Sequence, residues 1–117
     1  MKPNEKWIDD WRIGMKPSTE GELAGDLLKF FTDFWDRQKL DEKSKTTRNR
    51  YAGSLHALGG HLVECSIFDD DVDKSLHDLL FECVGPDGGP LIFPDDESWQ
   101  NEVDMVCRKI YKHMKKM

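Results

Sequence analysis

Apolar positions recur at helical spacing in four stretches of the chain, and nowhere do they alternate as in a strand. Between Gly21 and Lys39, Leu23, Leu27, Phe30 and Phe34 fall on one face of a helix of about 3.6 residues per turn. Leu28, Phe31 and Trp35 widen that face beyond a single stripe, which predicts contact on two sides, one with the core and the other with the N-terminal arm or a partner. A second helix is predicted from Ser44, a good N-cap, with Tyr51, Leu55, Leu58 and Leu62 at intervals of four, three and four. The stripe stays in phase across Gly59 and Gly60, so one continuous helix is expected even though each glycine costs about 1 kcal/mol against alanine. Gly59 falls on the apolar side, where the missing side chain lets a neighbour come close.

A third helix is predicted from about Asp70 to Cys83, with an acidic first turn suited to the helix dipole and a face of Val72, Leu76, Leu79 and Cys83. Gly85 and Pro86 stop it. "GPDGGPLIFPDD", residues 85–96, then forms a loop with a turn at Asp87-Gly88 and an extended segment, Leu91 to Phe93, laid on the core. The last helix begins near Asp95 or Asp96, turns Trp99, Val103, Val106, Ile110 and Met114 inward, and points Arg108, Lys112 and Lys115 outward. Residues 1–20 read as an irregular arm, a short helical turn or an extended stretch, since Trp7 and Trp11 stand four apart but Gly14 and Pro17 interrupt the pattern; the two tryptophans are expected to cover a flank of the body. The fold expected is all-α: a single domain with a bundle of about four amphipathic helices over residues 21–117, and a Gly/Pro-rich loop before the last of them.

Length and composition narrow the class further. A chain of 117 residues, 38% apolar, can close one core without disulfides or metal, but not two. Cys65, Cys83 and Cys107 are odd in number and form no CxxC pair, which predicts free thiols in a reducing compartment. With no apolar run of membrane-spanning length and no signal-peptide pattern at the N-terminus, the cytoplasm is the expected location and no membrane contact is foreseen. A net charge of -6 argues against a protein that coats nucleic acid indiscriminately, yet the charge is segregated. Residues 37–50 carry six Lys or Arg against two acids, residues 64–104 thirteen acids against one lysine, and residues 105–117 five cations and no acid.

The chemistry-bearing residues are scattered. His61 and Cys65 face the same way on the second helix, but His56 points about 140° away from His61, and no spacing matches a closed zinc site, so no metal is predicted. The run Asp69, Asp70, Asp71, Asp73 fails as a calcium loop because Lys74 stands where glycine is required and Leu80 where a bidentate glutamate is required. No nucleophile elbow, HExxH or phosphate loop occurs, so neither an enzyme, a cofactor nor a small-molecule substrate is expected.

Two surfaces remain. Lys43, Ser44, Lys45, Thr46, Thr47, Arg48 and Arg50 gather hydroxyls and cations around the free amides of a helix start, a combination that suits an anion such as phosphate. Trp7, Trp11, Leu28, Phe31 and Trp35 form the candidate surface for a protein partner or a second copy, which requires Phe31 or Trp35 to stay accessible. The spacing Ser44, Thr47, Tyr51, Leu55, Leu58, within an aromatic helix, basic loop and second helix over residues 27–64, resembles the core-binding, or SAM-like, N-terminal domain of phage integrases and other tyrosine recombinases. That resemblance implies a small helical bundle that clasps DNA, and it carries over no strand-cutting chemistry. The function expected first is a small non-catalytic helical interaction protein; the alternative is a DNA-binding or recombinase-accessory module contacting phosphates at the start of the second helix.

Overall fold

The structure, a computed structural model, describes residues 2–15, 17–68 and 75–116. Among the described residues five α-helices carry the fold: α1 (Lys6–Trp11), α2 (Pro17–Arg37), α3 (Lys45–Phe68), α4 (Leu76–Cys83) and α5 (Glu97–Lys115), with a 3-10 turn at Leu40–Glu42. Among the described residues there is no strand, only an isolated bridge between Gly85 and Gly88 that closes the Asp87-Gly88 turn. The architecture is an all-α bundle.

α3 is the centre of it. The helix runs unbroken through Gly59 and Gly60 and buries Tyr51, Leu55, Leu58 and Leu62, with Ala52, Val63 and Ile67 on the adjoining face. Burial around so much of its circumference follows from its neighbours, since α1, α2, α4 and α5 all pack on it. Ser44 caps it as expected, its Oγ accepting the Thr47 N–H at 3.2 Å. Asp96 does the same for α5, accepting from Trp99 N at 3.1 Å.

Several boundaries and faces differ from expectation. α2 begins at Pro17, four residues before Gly21; of the two readings of the arm the helical one holds, as α1, and its two tryptophans are part of the core rather than a cover on its flank. A helix of six residues does not persist alone. Here it is held by its tryptophans and by Glu20, whose fully buried carboxylate accepts the N–H groups of Ile13, Gly14 and Met15. α4 starts at Leu76, because Ser75 is extended and caps it through Asp78 N; the expected start at Asp70, with Val72 and the Asp69–Asp73 run, lies outside the described residues. Leu91, expected to lie on the core, is 68% exposed, while Ile92 and Phe93 pack at its edge. Trp99 is 53% exposed rather than inward, stacked edge-on against Phe93 at 5.3 Å between ring centroids.

Candidate functional site

The aromatic surface assigned to a partner is occupied by the chain itself. Phe31 and Trp35 are buried, and so are Trp7 and Trp11; only Leu28 is partly open. The wide face of α2 reflects a second neighbour, as its width requires, but that neighbour is α1. Trp11 meets Phe31 edge-on at 6.0 Å and sends its indole Nε1–H to the carbonyl of His56 at 2.8 Å. Its six-membered ring lies on Gly59, where a Cβ would overlap it well inside contact distance. Close approach at Gly59 was legible in the stripe; that an indole makes it was not. As a docking surface, Trp7, Trp11, Phe31 and Trp35 are withdrawn.

The basic start of α3 is only partly assembled. Arg50 pairs with Glu102 at 3.3 Å, and the Ser44 hydroxyl is spent on Thr47, donating to its Oγ1 at 3.1 Å as well as accepting its N–H. Arg48 lies near Asp41, whose carboxyl sits below the ordinary range chiefly because the Trp35 indole donates to it at 2.9 Å, with Lys2 and Arg48 adding attraction. Lys43, Lys45 and Thr46 are exposed, and neither lysine has a carboxylate partner among the described residues.

What the sequence left unassigned is a groove along the outward side of α3. Gly53, Ala57 and Gly60, at intervals of four and three, leave that side without bulk. A depression of about 400 Å³ lies over Ala57 and Gly60 against Leu91 and Phe93, and another of about 300 Å³ lies over Gly53 against Trp99. The Phe93–Trp99 contact joins their walls. Gln100 holds the wall in place: its Oε1 accepts the N–H groups of Ile92 and Phe93, both at 2.9 Å, and its Nε2 donates to Pro90 O at 2.9 Å. Asp104 completes the clamp by accepting Gly89 N at 3.1 Å and Gln100 Nε2 at 3.1 Å. Asp10, Glu64 and Glu102 rim the groove, with Arg50 engaged by Glu102. From Arg50 to Glu64 the floor extends about 21 Å at 1.5 Å per residue.

Nucleophile and metal chemistry are not concentrated anywhere described. His61 Nε2 and Cys65 Sγ are 3.4 Å apart on α3, but among the described residues no three His, Cys, Asp or Glu side chains gather to hold a metal ion. Burial, with Asp104 and Cys83 nearby, pushes the Cys107 thiol up to about 12, so it stays protonated and inert. Among the described residues no helix is long and apolar enough to cross a membrane. Comparison with family models, curated proteins and solved structures finds no match to this chain.

Proposed function

We propose that this protein is a small non-catalytic interaction module that receives an amphipathic helix of another protein in the α3 groove. One observation carries the reading: Trp99 and Leu91, both largely in water, stand beside a helix face stripped to Gly53, Ala57 and Gly60. Small residues let a second helix approach closely, and a half-exposed tryptophan is the side chain most enriched among energetic anchors of interfaces. A floor of about 21 Å matches roughly fourteen residues of helix. At the rim Asp10 is met by His56 at 3.0 Å and Glu102 by Arg50 at 3.3 Å, so Glu64 is the carboxylate that favours a Lys or Arg beside the partner's apolar stripe.

The test uses Gly53, where a Cβ meets nothing within 4 Å. Gly53→Leu fills the groove without disturbing the core. Basic amphipathic helices are titrated while the emission of the exposed Trp99 is followed. A blue shift in the native protein, lost in Gly53→Leu and in Trp99→Ala, is the expected result. Equal affinity of native protein and Gly53→Leu, or no shift with any basic amphipathic helix, removes the proposal.

A second reading, a DNA-binding or recombinase-accessory module, is favoured by the unpaired Lys43 and Lys45 beside the first amides of α3 and by the resemblance over residues 27–64. It expects a labelled duplex to bind at low salt, with affinity falling steeply as salt rises. Lys45→Glu with Arg48→Glu abolishes that binding while the fold is retained. A duplex whose anisotropy does not change at low salt excludes it.

A further inference from the structure

At the end of the bundle away from the groove wall, α5 and its C-cap residue Lys116 carry five cations after Met105, and their side chains sort into two groups. Arg108 Nη1 reaches the Asp87 carbonyl at 3.4 Å, and Lys115 lies over the Tyr111 ring at 5.1 Å. Lys109, Lys112 and Lys116, at intervals of three and four, line a depression of about 420 Å³ together with Arg37 and Gln38 from the end of α2. None of the three lysines has a carboxylate partner among the described residues. Arg37 spends its Nε on Asp33 at 3.1 Å, which fixes the guanidinium and leaves both terminal nitrogens unengaged.

His113 closes the depression from below. It is 5% exposed, wedged between Phe30 and Phe34 with ring centroids 5.5 Å from each. Its Nε2 makes no hydrogen bond, standing 3.4 Å from Asp33 Oδ2, within ion-pair reach. The groups facing the ring are thus Asp33, Arg37 and the three lysines. Cations near a helix C-terminus are ordinary, because the dipole favours them there. Four of them from two helices converging on one concavity, with a buried imidazole in its wall whose Nε2 makes no hydrogen bond and has Asp33 as its facing carboxylate, exceed what the dipole explains. Concave walls focus the positive potential into the cavity.

We infer that this depression binds a compact oligophosphate anion, either free or as the phosphate chain of a nucleotide. The shape decides against nucleic acid as the occupant: a duplex is a convex rod that asks for cations along a ridge, whereas these surround a hollow of small-molecule size. Arg37 supplies the fork that matches phosphate oxygens, the lysines supply point charges, and His113 Nε2 supplies a further polar contact.

Calorimetric titration with inorganic tripolyphosphate and with a metal-free nucleoside triphosphate, at about 50 mM salt, tests the inference. Binding of either is expected, weakened at least tenfold by Lys112→Glu and by Lys109→Gln with Lys116→Gln, all on exposed positions. Lys43→Gln with Lys45→Gln, at the start of α3, and Gly53→Leu, in the groove, leave it unchanged. The His113 imidazole resonances shift on titration in the native protein. No binding, or binding indifferent to the α5 substitutions, overturns the inference. A 20-base-pair duplex bound more tightly than tripolyphosphate and released by the α5 substitutions also overturns it, in favour of nucleic acid.

Discussion

A Cβ built on Gly53 meets open space, whereas one built on Gly59 is driven into the Trp11 ring. The two glycines sit on the same helix and share the same intrinsic cost, so their alanine variants separate propensity from packing. Gly53→Ala is expected to stabilise by about 1 kcal/mol. Gly59→Ala is expected to destabilise by about 1–3 kcal/mol, because the indole is hemmed in by Phe31 and cannot retreat. Urea midpoints of the two variants check both signs. His113 gives a second prediction at this scale. Burial lowers its pKa below the ordinary value, Arg37 adds to the effect and Asp33 opposes it. An unfolded histidine titrates near 6.5. As pH falls through that value the unfolded chain takes up a proton that the folded chain refuses, so stability drops until pH passes below the folded pKa. The native protein is therefore expected to lose more stability between pH 7.5 and pH 5.5 than His113→Phe, read from urea melts at each pH. Neither His113 nor Glu20 was visible as a buried polar residue in the sequence. Each lies on a helical stripe whose other members are apolar, and the partners that make burial tolerable come from a different element.

Elements with long periodic stripes were legible: α2, α3 and α5 lie where spacing predicts them, and Ser44 and Asp96 cap as their chemistry suggests. Periodicity names a face but not what covers it. For that reason the breadth of α2 was readable, with the N-terminal arm or a partner to cover it, and only the structure decides for the arm, as α1. Trp99 illustrates the same limit in reverse, since the stripe of α5 points it inward, yet the loop held by Gln100 takes the space beside α3 and leaves the indole on Phe93 with its outer edge in water. The groove itself was present in the sequence as Gly53, Ala57 and Gly60, a pattern overshadowed by the leucines. Gln100 is the element's key polar contact. Gln100→Ala leaves the Ile92 and Phe93 amides without their acceptor and is expected to cost about 1–3 kcal/mol. Hydrogen exchange of those two amides should rise far more than that of α3, since the substitution frees the loop without opening the core.

Over the whole molecule, charge is distributed unevenly while apolar packing is continuous: one core cluster extends from Trp7 to Met114. Thirteen acids lie between residues 64 and 104 and five cations in the last thirteen residues, so each stretch concentrates charge of one sign. Raising NaCl from about 0.05 to 0.5 M is expected to stabilise the fold by up to about 1 kcal/mol by screening this repulsion. Urea midpoints across the salt series measure it, and the Lys112→Glu variant should show a smaller gain.

The seating of an indole on a bare helix backbone binds two distant stretches of sequence into one heritable unit. A larger side chain at position 59 is tolerable only where position 11 has shrunk, so descendants of this chain that change one of the pair should change the other. Drift in the first dozen residues is thereby limited by a constraint written in the middle of the third helix, and a terminus that looks expendable is as tightly governed as the interior.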